Sequence, residues 1–396
     1  MISRYAKKLH ELEAKGRLRE LTPLERAGAG HVIYKGSKKH LNLSSNDYLG
    51  LGQDDLLLQR FYKRLEKEGG AEKAFAAASS RLLTGDSLIA HRLEADLAKA
   101  YGSESVLLFN SGYHANIGIL PALFGKGDLI LSDKLNHASI HDGLTLSRAD
   151  HKRFRHADYE QLHVLLSKHR EQYDQVVIVS ESVFSMDGDE ADLRALVSLK
   201  HEFDVRLYLD EAHGVGVFGE KGLGKAEEKA VLSEIDFLVG TFGKALASMG
   251  AFVCCSKEIH DYLVNHSRSL IFTTGLPPVT LNWNQFIFQH MLGMTRERQH
   301  LQKISMQLRN ALAGKGIATR GSTNIVPVLI GSDRNALELA KNMQKHGYLI
   351  LPVRPPTVPE GTARFRFSVC AHMQWKELQK IPDQIAVMMA GVNNEK

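Results

Sequence analysis

Between about residues 45 and 280 the chain repeats one unit, a short apolar run followed by a stretch with helical periodicity. The runs are Val106-Leu107-Leu108-Phe109, Asp128-Leu129-Ile130-Leu131, Val176-Val177-Ile178-Val179, Arg206-Leu207-Tyr208-Leu209, Phe237-Leu238-Val239-Gly240 and Ala251-Phe252-Val253. Runs this short, rich in β-branched and aliphatic residues, read as buried strands rather than core helices. Their alternation with helices predicts an α/β fold, a mostly parallel central sheet covered on both faces. Reactive side chains then collect where the strands end, at the carboxyl edge of the sheet.

The flanking regions read differently. Residues 1–44 form an arm: an amphipathic helix from Tyr5 to Leu21, Pro23, a glycine-rich turn and a short strand from His31 to Tyr34. Residues 45–285 make the large domain. Residues 286–396 make a smaller α+β domain, with long helices through Gly314, strand-like Ile325 to Ile330, a helix from Asn335 to His346, and strands near Leu349 to Pro352 and Phe365 to Val369.

With 396 residues, 43% of them hydrophobic and 24% charged, the chain can bury a full core. No apolar run reaches the roughly 18 residues of a membrane span, and the start of the chain leads into no signal-peptide core, so the expectation is a cytoplasmic protein without a membrane partner. The net charge of +5 is dispersed, as in Lys63-Arg64-Leu65-Glu66-Lys67-Glu68, which argues against a nucleic-acid partner and leaves an acidic partner such as an acyl carrier protein compatible. Cys254, Cys255 and Cys370 have neither disulfide-framework nor zinc spacing, and the histidines between His151 and His163 lack ligand spacing, so no metal is expected.

The chemistry gathers at strand ends. Asp210, in Asp210-Glu211-Ala212-His213, closes one strand, and Lys244 follows another in Gly240-Thr241-Phe242-Gly243-Lys244-Ala245. A lysine flanked by small residues can form a Schiff base with an aldehyde cofactor. A carboxylate paired to a pyridine nitrogen keeps that nitrogen protonated, so the ring accepts electrons from a bond breaking at a substrate carbon. The pair therefore points to pyridoxal phosphate. Ser111, Gly112 and Tyr113 turn from a strand into a helix, where free N–H groups can hold a phosphate; the same turn also reads as a plain helix cap. His137 follows the next strand and can stack on a ring. Ser185 and His213 can donate toward a phenolate oxygen. Arg364, at a strand start in Gly361-Thr362-Ala363-Arg364, suits bidentate capture of a carboxylate, although alone it reads as a surface arginine.

Ser44-Ser45-Asn46-Asp47-Tyr48-Leu49-Gly50-Leu51, Phe184 to Gly188, Asp210 to Gly214, Thr241 to Lys244 and Thr362 to Arg364 together resemble the α-oxoamine synthases, pyridoxal-phosphate enzymes of the aspartate-aminotransferase fold (fold type I). The resemblance runs from about residue 40 to 370. It implies that Lys244 carries the cofactor, Asp210 pairs with its ring nitrogen, His137 stacks on it, His213 and Ser185 approach the phenolate oxygen, and Thr241 joins Ser111 to Tyr113 at the phosphate. It implies Asn46 and Arg364, with Arg19 from the arm, at the amino-acid carboxylate. It also implies a homodimer in which Thr273-Thr274 reaches the partner's phosphate. The Asn46-Asp47 form and the length imply, within the family, decarboxylative condensation of L-alanine with a pimeloyl thioester, carried on coenzyme A or on an acyl carrier protein, as in biotin synthesis. Glycine-using relatives and a non-catalytic partner subunit are the rival readings. One stretch departs from the family: Ala76-Ala77-Ala78-Ser79-Ser80-Arg81 stands where relatives carry Gly-Ser-Gly-x-Ser-Arg.

Overall fold

The computed structural model describes residues 3–28, 30–36 and 38–394. Seven strands form the main sheet: β1 (Ser105–Phe109), β2 (Leu129–Asp133), β3 (Asp150–Phe154), β4 (Val176–Glu181), β5 (Arg206–Asp210), β6 (Phe237–Thr241) and β7 (Ala251–Cys255). Their order is β1-β7-β6-β5-β4-β2-β3, with β7 antiparallel to both neighbours and every other pair parallel. All five residues of β2, β6 and β7 and all six of β4 are buried. That is why each carries an apolar run with no polar alternation, such as Leu129 to Leu131 in β2 and Val176 to Val179 in β4. Leu107, Ile119, Val177, Val239 and Val253 belong to one buried cluster between sheet and helices. The sequence reading lacks β3. This edge strand, Asp-His-Lys-Arg-Phe, buries only Phe154, so it carries almost no hydrophobic signal.

Contacts group the chain into two compact units, the larger from 55–184 and 190–298, the smaller from 1–54, 185–189 and 299–396. The larger unit holds the seven-stranded sheet, and the helix Pro278–Leu292 runs through position 285. In the smaller unit, the arm's strands Leu24–Arg26, His31–Tyr34 and Lys39–Asn42 are antiparallel, and Tyr348–Leu349 adds to them in parallel. A second, antiparallel sheet joins Ile325–Gly331, Ala363–Ser368 and Pro352–Val353. The helix Asp333–Lys345 buries Ala336, Leu339, Ala340 and Met343, one stripe at helical spacing, and Ser332 Oγ caps it by accepting from the Asn335 N–H at 3.2 Å.

The arm's helix covers Arg4–Ala14 rather than Tyr5 to Leu21. It stops because Gly16 takes a left-handed conformation (φ 65°) and the Arg17 N–H turns back to the Leu12 carbonyl at 2.7 Å. No helix among the described residues is long and apolar enough to cross a membrane.

Candidate active site

Within the larger unit, β1, β2, β4, β5 and β6 end on one edge, and the residues singled out by sequence follow those ends. Ser111 caps the helix Gly112–Leu123: its Oγ accepts from the His114 N–H at 3.2 Å. The first amides of that helix have no partner within it, and the helix dipole adds partial positive charge there. A Cβ added to Gly112 would lie 3.9 Å from the Thr241 Cβ, so the bare α-carbon keeps the space beside Thr241 open. Thr241 Oγ1 accepts from the Gly243 N–H at 3.1 Å and donates to the Gly250 carbonyl at 3.0 Å, which shapes the turn that carries Lys244. The Tyr113 hydroxyl donates to Asp142 Oδ2 at 2.6 Å.

Asp210 is buried and fixed from both sides. Its Oδ1 accepts from the Ala212 N–H at 2.8 Å and its Oδ2 from Asn116 Nδ2 at 2.9 Å. Asn116 extends the network: its Oδ1 accepts from the Tyr208 hydroxyl at 2.5 Å, and its Nδ2 also lies 2.9 Å from Ser139 Oγ. Ser139 Oγ stands 2.8 Å from His137 Nδ1, which in addition accepts from the Ser139 N–H at 3.2 Å. A chain of hydrogen bonds therefore links the carboxylate to the imidazole. With Nδ1 accepting, the proton of a neutral ring sits on Nε2. Desolvation by the surrounding protein lowers the His137 pKa; Asp210 opposes the shift and Lys244 adds to it. Lys244 Nζ lies 2.8 Å from His213 Nε2.

Glu181 pairs in register with Asp210 on the neighbouring strand and is likewise buried. Burial, with Asp210 nearby, pushes its carboxyl well above the usual range, while Lys244 and the His137 N–H oppose the rise. The edge thus holds an amine, an anchored carboxylate, two imidazoles and a capped helix start. This donor set fits pyridoxal phosphate: an amine for the aldehyde, a carboxylate for the ring nitrogen, free amides and a glycine-lined space for the phosphate.

The remaining sequence candidates lie in the smaller unit. Arg364 is buried and paired, its Nη1 donating to Asp187 Oδ1 at 2.5 Å and its Nε to the Thr362 carbonyl at 3.1 Å. The Ser185 carbonyl accepts from Arg366 Nε. Asn46 Oδ1 accepts from Arg366 Nη1 at 3.1 Å and from the Tyr48 hydroxyl at 3.0 Å. Arg19 is exposed, and its Nη2 donates to Thr357 Oγ1 at 3.1 Å.

The sequence reading misses Asn116 and Ser139, which tie Asp210 to His137. Asn116 stands three residues past Tyr113 and Ser139 two past His137, and an asparagine one turn into a capped helix is a usable signal. It also misses Arg354. That guanidinium donates to the Gly16 carbonyl, its buried Nε has no partner, and its pKa is lowered by burial and by neighbouring Arg19, with Asp333 opposing. Nothing in the local sequence marks it.

The model of the family described as aminotransferase class I and II matches residues 38–385. The 8-amino-7-oxononanoate synthase of Chlorobaculum parvum is 52% identical over 378 residues, 95% of this chain and 96% of that protein. A serine palmitoyltransferase from S. paucimobilis, solved with PLP bound, superposes with a TM-score of 0.89 at 27% identity, covering 98% of this chain and 97% of its own. An 8-amino-7-oxononanoate synthase from Francisella tularensis gives a TM-score of 0.74 at 26% identity, covering 90% of this chain and 98% of its own.

Proposed function

This chain belongs to the class I and II aminotransferase family, within it to the α-oxoamine synthases, and we propose that it joins L-alanine to a pimeloyl thioester. Alanine and the thioester yield 8-amino-7-oxononanoate, carbon dioxide and the free thiol, a step of biotin synthesis. The observation that carries the chemistry is Lys244 Nζ at 2.8 Å from His213 Nε2 on the edge where Asp210 is anchored. The choice of alanine and the pimeloyl group rests on the likeness to the Chlorobaculum parvum synthase.

Pyridoxal phosphate, when bound, supplies the electron sink for bonds broken at the amino acid's Cα. Lys244 would hold it, Asp210 would keep a proton on its ring nitrogen, and Ser111, Gly112, Tyr113 and Thr241 would hold its phosphate. The Lys244 amine takes the Cα proton and later returns one to the same carbon. His213 Nε2 keeps that amine oriented, and the Asn116 and Ala212 donors hold the Asp210 carboxylate in place. His137, fixed through Nδ1, presents its ring to the cofactor, and Ser185 and His213 serve its phenolate oxygen. For the alanine carboxylate we propose Arg364 and Asn46 with Arg19, and add Arg354, whose orphaned Nε suits an incoming anion.

The functional assembly is proposed to be a cytoplasmic homodimer, with Thr273-Thr274 reaching the partner's site and an acyl carrier protein or coenzyme A as the acyl carrier. The test is incubation of the holoprotein with L-alanine or glycine and a panel of acyl thioesters. The product mass should be that of 8-amino-7-oxononanoate from alanine and the pimeloyl thioester. Faster turnover of glycine, or of a short acyl donor, contradicts the reading.

A further inference from the structure

Glu211 follows Asp210, and the chemistry above makes no use of it. Its side chain is completely buried, and both carboxylate oxygens are engaged. Oε2 accepts from Ser182 Oγ at 2.5 Å, just past the end of β4, and Oε1 accepts from the Ala226 N–H at 2.7 Å. The residue's backbone is engaged as well: its N–H donates to the Val239 carbonyl at 2.7 Å, and its carbonyl accepts from Gly214 and Val215 at 2.8 and 2.9 Å. The carboxylate fills space that side chains would otherwise need. A Cβ on Gly214 would lie 1.8 Å from Oε2, and one on Gly224, itself at φ 118°, would lie 2.6 Å from the carboxyl carbon. Three separate segments thus meet on one side chain, and the turn it secures presents His213 to Lys244 at 2.8 Å.

We propose that Glu211 is a positioning residue: it holds the turn 211–215 so that His213 stays within hydrogen-bond reach of the Lys244 amine. The effect on chemistry passes through His213, which is what separates this role from mere filling of a loop interior. The geometry also says which substitutions should matter. Glutamine keeps one acceptor for the Ala226 N–H and turns the other group into a donor, which Ser182 Oγ accepts by rotating its hydroxyl. Aspartate keeps the charge, but it is one methylene shorter and cannot serve Ser182 and Ala226 together.

The inference rests on Lys244 as the reacting amine, but its first test involves neither cofactor nor substrate. Acetic anhydride labelling of the apoprotein at one neutral pH, read by mass spectrometry, gives the reactivity of Lys244 relative to exposed lysines. Glu211→Asp and His213→Ala should change that ratio in the same direction, by about threefold or more, a difference of roughly 0.65 kcal/mol, and combining them should add nothing beyond His213→Ala. Glu211→Gln should leave the ratio near wild type. In the holoenzyme, Glu211→Asp should lower kcat about tenfold with the KM for alanine within about twofold. Should Glu211→Asp fail to fold, Ser182→Ala removes one donor without adding bulk and should move the ratio in the same direction. A Lys244 ratio unchanged in Glu211→Asp, or in Ser182→Ala where it replaces it, overturns the proposal, as does an unchanged ratio in His213→Ala. Failure of the alanine reading would look different: no ketone from alanine, with the labelling pattern intact.

Discussion

Asp210 and Glu211 are adjacent buried carboxylates held by different partners. Asp210 accepts two hydrogen bonds at the sheet edge, from Asn116 Nδ2 and the Ala212 N–H. Asp210→Asn should leave the cofactor bound and slow removal of the alanine Cα proton by several tenfold steps, each about 1.4 kcal/mol of barrier, because a neutral amide cannot hold a proton on the ring nitrogen. Stopped-flow absorbance of the holoenzyme mixed with alanine measures this, and a rate within a few-fold of wild type would contradict the role. Glu211 is pushed up to about 7, mainly by burial, against hydrogen bonds from Ser182 and two backbone amides that oppose the rise. An acid with a raised folded pKa binds its proton more tightly when folded. Its contribution to stability is therefore greatest below its ordinary value of 4.5 and declines as pH rises through about 7. Glu211→Gln removes that titration. Across this window the variant should gain roughly 3 kcal/mol relative to wild type, read from urea unfolding of the apoproteins. Parallel pH curves for the two proteins would contradict the shift.

Strands were the most legible elements, because in a sheet covered on both faces every position of β4 and β6 is buried, so Val176 to Val179 and Phe237 to Val239 form apolar runs that no alternation dilutes. β3 was invisible for the converse reason. The arm's helix was overextended because Lys15 to Leu21 continues an amphipathic pattern, and only the left-handed turn at Gly16 stops it. The residues of the candidate site could be picked out because they follow strand ends within a few positions. Arg354 could not, since its importance comes from partners distant in sequence. The alanine stretch has a visible cost: Ala78 sits at φ 56°, a left-handed conformation that glycine adopts without strain. Ala78→Gly should raise unfolding stability by up to about 1 kcal/mol, the relief of strain outweighing the added freedom of the unfolded chain. A lower midpoint in urea would show that the loop is not strained there.

The smaller unit is assembled from three separated stretches of chain, and the buried pair of Arg364 and Asp187 ties two of them together. Sequence order conceals such an arrangement, because Ser185 to Asp189 reads as the tail of β4. Arg364→Ala would strand the buried Asp187 charge and should cost about 3 kcal/mol, most of it recovered by adding Asp187→Ala; equal costs for single and double variants would show that the pair carries no such weight. The proposed chemistry turns on one atom, Lys244 Nζ, proposed to take a proton from the amino acid. Holoenzyme with L-alanine in deuterium oxide, followed by proton NMR without any acyl donor, reads that transfer directly. The wild-type protein should wash the Cα hydrogen out, and Lys244→Ala, folded by circular dichroism, should do so at least about a thousandfold more slowly. Exchange at the wild-type rate in Lys244→Ala would contradict the account.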